Sequence, residues 1–142
     1  MATCADVLGQ TLPPDAGEDS VSFLPALRGE PIVSGRSGVV HHSISGHFAY
    51  RHGKWKLLLA RGSGGWTHPN EKQAAAKGAP KGQLYDIHAD PGETNNLFES
   101  EPQVVERLLE MLKTDVRRGR STPGPDQAND VPVQQIKLWK SE

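Results

Sequence analysis

The chain has 142 residues, enough for one domain, but hydrophobic residues make up only 35% and aromatics 6%, while Gly contributes 15 residues and Pro 11. The core is therefore small for the length, and either long irregular loops or apolar surface resting on another body is expected. A formal net charge of -1 gives no argument for nucleic acid or an anionic membrane surface as partner, one cysteine excludes an intrachain disulfide and a cysteine-based zinc knuckle, and no window approaches the roughly 20 apolar residues that span a bilayer.

In chain order, Ala2 to Leu8 reads as the last turns of a helix closed by Gly9, and Gln10 to Ser20 as a loop rich in Pro, Gly and Asp. Val21 to Arg28 has Val21, Leu24 and Leu27 at helical spacing with Gly29 as a stop, which predicts a short helix. Three strands follow: Val39 to Ile44, His47 to Arg51, and Lys54 to Ala60, with His52 and Gly53 as a two-residue hairpin turn between the last two. From Arg61 to Gly82 no apolar period persists, so the segment reads as a long loop.

Gln83 to Ile87 is a fourth strand candidate, and Asp90, Pro91 and Glu93 have the grammar of a capped turn. The long helix is capped by Ser100 with Gln103 three residues on and Pro102 in the first turn. Its apolar stripe is Val104, Val105, Leu108, Leu109, Leu112 and Val116, and Gly119 ends it. After Arg120 comes a polar tail whose apolar cluster, Val131, Val133, Ile136, Leu138 and Trp139, is expected to anchor against a neighbouring surface. The predicted fold class is α+β: a four-stranded antiparallel sheet with one long C-terminal helix packed on it.

The residues that could carry chemistry fail the tests for complete sites. His41 and His42 are adjacent on a strand and point to opposite faces, so one metal cannot take both in regular geometry, and there is no HxH or HExxH pair. The acidic stretch Asp86 to Glu99 has Pro91 where a calcium-binding EF-hand loop needs Gly. No G-x-S-x-G elbow surrounds Ser43, Ser45 or Ser63, and the glycines at 62 to 65 lack the Lys and Ser/Thr of a nucleotide loop. Arg51, Lys54, Lys56 and Arg61 form a basic run that is either a solvated strand face or a positive rim near an anionic substrate.

Taken in order, HHSISGHFAYRHGKWKLLL, GSGGW, QLYDIHADPGETNNL and the amphipathic helix resemble the C-terminal subdomain of the type I sulfatases, the arylsulfatase family. The likeness runs to about Gly119, and its most specific piece is LYD-x3-DPGE-x-NNL, from Leu84 to Leu97. The upstream Asp19 to Pro25 resembles the segment leading into that subdomain.

The resemblance implies three parts: residues 1–36 leading from a large α/β catalytic domain, 37–119 forming the C-terminal subdomain, and 120–142 a polar tail. It also implies hydrolysis of a sulfate ester by a formylglycine hydrate, made from Cys or Ser in a C/S-x-P/A-S-R motif and assisted by calcium. Cys4 is followed by Ala5, Asp6 and Val7 and does not match that motif, so the catalytic and calcium-site residues are expected outside this chain. What carries over is a substrate-contacting role for His42, Trp66 and His68, with His41 as alternate.

The chain therefore reads as the C-terminal part of a sulfatase, completing the substrate pocket without being catalytic alone. The implied parent is periplasmic or secreted; the N-terminus has no signal-peptide pattern. Two alternatives stand beside this: a stand-alone binding or interaction module, and the C-terminal part of a related phosphonate or phosphate monoester hydrolase. The sequence leaves the carrier of the sulfate ester open.

Overall fold

A computed structural model describes residues 1–33 and 35–131. In chain order its elements are α1 (Ala2–Val7), α2 (Leu24–Leu27), β1 (Val39–His42), β2 (Phe48–His52), β3 (Trp55–Leu58), α3 (Glu71–Ala76), β4 (Gln83–Asp86) and α4 (Pro102–Arg118). The strands form one antiparallel meander in the order β1-β2-β3-β4, and α4 packs on one face of it, which is the predicted class.

Strand parity explains which face is covered. Tyr50 pairs with Leu57 and Leu57 with Leu84, so the three side chains form one row across β2, β3 and β4, all fully buried. Val105, Leu108, Leu112 and Val116 recur at helical spacing along α4 and meet that row. Each fully buried leucine contributes about 1.5–3 kcal/mol. Pro102 sits in the first turn of α4, where no intrahelical N–H is needed, and Gly119 closes the helix at φ 63.

Within this apolar stripe lies Asp115, only 5% exposed. A buried carboxylate costs several kcal/mol unless it is hydrogen-bonded. Here the Tyr50 hydroxyl donates to it at 2.8 Å, and the Ser37 hydroxyl lies 2.8 and 2.6 Å from its two oxygens. Gly38 permits the approach, because a Cβ there would lie 2.5 Å from Tyr50 Cζ. One carboxylate thus joins helix, sheet and the lead-in to β1.

A second polar clasp joins the two ends of the described chain. Asp19 Oδ1 accepts from the Ser121 amide at 2.8 Å and its hydroxyl at 2.7 Å, and the Thr122 hydroxyl donates to the Glu18 carbonyl. Arg120 donates to the carbonyls of Pro14 at 3.2 Å and Pro125 at 2.9 Å.

Several local expectations need correction. The β2–β3 turn is Gly53–Lys54, not His52–Gly53, because His52 pairs with Trp55 as a strand residue; Gly53, at φ 57, takes the first central position. Ser100 does not cap α4, since its hydroxyl donates to the Leu97 carbonyl and Glu101 is the cap residue. The segment 61–82 is not all loop: it holds α3, started by an Asn70–Gln73 capping box. β1 ends at His42, where Ser43 and His47 close a turn that leaves Ile44 exposed. Of the expected tail cluster, Val131 is exposed and Val133, Ile136, Leu138 and Trp139 lie outside the described residues.

Burial, with Asp115 adding to it, pushes the Tyr50 hydroxyl up to about 12 from 10.0. The unfolded chain loses that proton first, so the contribution of Tyr50 is complete below pH 10 and falls away as the pH rises from about 10 to about 12. Denaturant midpoints measured across this range should decline in the wild type, and Tyr50→Phe should flatten that decline while lowering stability at neutral pH by about 1–3 kcal/mol.

Candidate functional site

At one end of the sheet the β1–β2 turn meets the segment that follows β3. A Cβ on Gly64 would lie 3.4 Å from Ser43 Oγ, and one on Gly65 would lie 3.9 Å from Ile44, so the two loops are in close contact. Between them opens a cavity of about 400 Å³ lined by His47, Gly64, Gly65, Asn70, Glu71 and Lys72.

The segment is built to hold its shape. Glu71 accepts from the Arg61 amide at 3.0 Å and the Gly62 amide at 2.8 Å, tying the exit of β3 to α3. The Ser63 amide donates to the Pro69 carbonyl at 2.9 Å and the Ser63 hydroxyl to the Thr67 carbonyl at 2.6 Å, which closes a compact loop. Gly62 is required at the neck, because a Cβ there would stand 2.4 Å from the Pro69 carbonyl oxygen. Trp66 sits near the tip and is 86% exposed. The His68–Pro69 peptide is cis.

His47 is oriented by the sheet. Its Nδ1 lies 3.1 Å from the Leu59 carbonyl, an acceptor only, so Nδ1 carries the hydrogen. In the neutral ring Nε2 is then an acceptor for a hydroxyl or amide, and the protonated ring offers a donor there. His68 is oriented in the same way, Nδ1 meeting Gln73 Oε1 at 2.8 Å.

Trp66 and His68 thus share one loop, which packs against the turn that follows His42. His42 itself is exposed on β1, its ring 6.2 Å from that of Phe48. His41 projects from the opposite sheet face, where burial first, then Lys56 and Arg51, hold its imidazole below the usual range, with Glu93 acting against them. Among the described residues no hydrogen bond or ring contact joins any two of these four side chains. The cavity residues His47, Asn70, Glu71 and Lys72 were missed by sequence reasoning. An Asn with Gln three residues on, before three alanines, was the signal for α3 and its capping box.

The motif from Leu84 to Leu97 turns out to be architecture. Asp86 pairs with Lys54 at 2.6 Å, which is the main reason its carboxyl is held below the usual range, and it also accepts from the amides of Ala89 and His88. Asp90 accepts from the amides of Asn95 and Thr94, with the same effect. Glu93 does not complete a capping box; it takes φ 54 and pairs with Lys56 at 2.6 Å. Asn96 Oδ1 accepts from the Leu84 amide and the Leu97 amide donates to the Leu84 carbonyl, so the backbone at this point of the edge strand β4 is covered.

Among the described residues no group of three or more His, Cys, Asp or Glu side chains could hold a metal ion, and no helix is long and apolar enough to cross a membrane. Cys4 is exposed in α1, within Cys-Ala-Asp-Val. The described residues therefore offer no set that fits calcium, and Cys4 does not fit a formylglycine precursor.

The fold and this arrangement define a small α+β unit, a four-stranded antiparallel meander covered by one long helix. No protein-family model matches the chain. It is 33% identical over 113 residues to an N-acetylgalactosamine-6-O-sulfatase of Bacteroides thetaiotaomicron, an alignment that takes in 80% of this chain and 22% of that protein. A structure from work on the metabolism of multiple glycosaminoglycans by Bacteroides thetaiotaomicron superposes with a TM-score of 0.60 at 33% identity, over 80% of this chain and 23% of the other. In fold alone the chain is also similar to a sulfatase structure from Bacteroides thetaiotaomicron VPI-5482 (TM-score 0.58, 21% identity, 90% of this chain and 29% of the other) and to a 2-O GAG sulfatase (0.53, 24%, 95% and 31%). By sequence and fold the chain is similar to the C-terminal subdomain of sulfatases, and it spans less than a third of the length of these relatives.

Replacing Glu71 with Ala should free the Arg61 and Gly62 amides and cost about 1–3 kcal/mol. Hydrogen exchange should accelerate at Gly62 and Ser63 and remain unchanged at Leu57; equal rates at Gly62 in both proteins would show that Glu71 does not hold the loop.

Proposed function

We propose that this chain is the non-catalytic C-terminal subdomain of a sulfuric ester hydrolase, and that the loop bearing Trp66 and His68 contributes to the wall of its substrate pocket. The observation that carries this is the 33% identity to an N-acetylgalactosamine-6-O-sulfatase, which extends over 80% of the chain. Residues 37–119 form the subdomain proper, 1–36 lead in from the catalytic domain, and 120–142 are a tail. Calcium and formylglycine are assigned to the catalytic domain, as the similarity to sulfatases implies. Sulfatase relatives favour a sulfate ester over a phosphate or phosphonate, and the name of the first relative favours a sulfated amino sugar as its carrier.

In this reading the chain's own residues bind and orient. Trp66 offers an exposed indole face on which a sugar ring can stack, a flat apolar surface with an N–H at its edge. His68, held by Gln73, and His42, on the strand beside the loop, are the polar contacts, with His41 as alternate on the other face of the sheet. His47 adds a ring of fixed orientation inside the adjoining cavity.

The pure chain with calcium should not hydrolyse a chromogenic aryl sulfate, and turnover by it would overturn the assignment of the chemistry to other residues. N-acetylgalactosamine 6-sulfate should perturb amide resonances of residues 43–47 and 62–72. Trp66→Ala should weaken that binding by about 5- to 100-fold, the loss of about 1–3 kcal/mol of stacking. Perturbation spread evenly over the chain, or unchanged by the substitution, would remove the loop from the pocket.

A further inference from the structure

We propose that a second cavity, at the opposite end of the sheet, binds an oxyanion: a sulfate or carboxylate group. This cavity of about 340 Å³ lies between the lead-in to β1 and the β2–β3 turn, with Arg36, Ser37, Arg51 and His52 around it and Gly38 and Gly53 supplying backbone. Arg36 and Arg51 both line this space, and among the described residues its lining contains no carboxylate.

The surrounding pairings show that this positive charge is not used internally. Arg51 stands directly opposite Lys56 in the β2–β3 register, and like charges in that position repel. Glu93 neutralises Lys56 at 2.6 Å, while among the described residues no carboxylate pairs with Arg51. Arg36 spends one N–H on the Asp19 carbonyl at 3.2 Å, and among the described residues no carboxylate pairs with it. Of the neighbouring carboxylates, Asp115 is taken by the hydroxyls of Ser37 and Tyr50, and Asp19 Oδ1 by the amide and hydroxyl of Ser121. The excess charge is also felt across the face, since Lys56 and Arg51 both lower the His41 imidazole, after burial.

The geometry suits an oxyanion in particular. A guanidinium presents parallel N–H groups that match two oxygens of a sulfate or carboxylate, and two arginines lining one cavity suit a single anionic group better than a dispersed polyanion. The His52 ring is held in place by donating from Nδ1 to the Ser37 carbonyl, leaving Nε2 as its remaining polar atom. Nothing in this assignment depends on the role given to Trp66 or to the cavity beside it.

The test is a titration of the full chain with sodium sulfate at constant ionic strength, balanced with sodium chloride. It follows the arginine Nε–H resonances and the Gly38 and Gly53 amides. Saturable shifts confined to these groups are expected, and Arg51→Gln and Arg36→Gln should each weaken binding about tenfold, the loss of one charge-assisted pair. Lys113→Gln, on α4, should leave it unchanged. N-acetylgalactosamine 6-sulfate binding more tightly than inorganic sulfate would assign the anion to a glycan, and equal affinity would assign it to the free ion; either supports the site. Shifts reproduced by chloride alone, or sulfate affinity unaltered in both folded arginine variants, would overturn it.

Discussion

Asp115 occupies a position on α4 where the apolar period would place a leucine or valine, one residue before Val116 and three after Leu112. Its carboxylate is tolerated there because Tyr50 reaches it through the row of sheet residues that forms the core, and Ser37 reaches it from the segment entering β1. Three parts of the chain far apart in sequence must therefore arrive together. Apolar packing between Leu57, Leu84, Leu108 and Leu112 supplies most of the driving force and is non-directional. The hydroxyl–carboxylate contacts fix the rotation of the helix over the sheet and the height at which the chain enters β1. Both cavities are defined by the strand ends that this arrangement positions.

Periodicity in the sequence was sufficient for the sheet and for α4. Alternation marked the strands, and the stripe from Val104 to Val116 marked the helix, because both patterns arise from burial on one face. What the sequence concealed is local and has physical causes. Placing the β2–β3 turn one residue early came from reading Gly53 as the second turn residue, when the register seats it first. Ser100 looked like a cap by type and spacing, but a hydroxyl can bond only in the direction the preceding backbone allows, and here that is the Leu97 carbonyl. Asp115 could not be read as buried, since an aspartate on a helix is ordinarily at the surface and its partners lie 65 and 78 positions away.

For the candidate site, the sequence named residues of β1 and of the loop after β3, a loop of unusual composition. The four side chains it named do not converge on one point: Trp66 and His68 share the loop, while His42 and His41 lie on opposite faces of β1. The cavity beside them is formed by His47 and the start of α3, and α3 was hidden because six residues are too few to establish a helical period. The motif that gives the family away is informative for another reason. From Leu84 to Leu97 its acids and amides are consumed in holding the turn and covering the edge of β4, so it records the shape of this fold and not a chemistry.

The clasp between residues 14–19 and 120–127 carries a consequence for the order of assembly. The meander is made of neighbours in the chain, whereas the contacts of Asp19 and Glu18 with Ser121 and Thr122 span 102 and 104 positions. Contacts of such separation close the largest loops and are entropically the last to be rewarded, so the strands and α4 condense first and the clasp is sealed over an existing core. Opening it would then be the lowest sub-global excursion of the native state, releasing the lead-in segment while Tyr50 and its row remain packed.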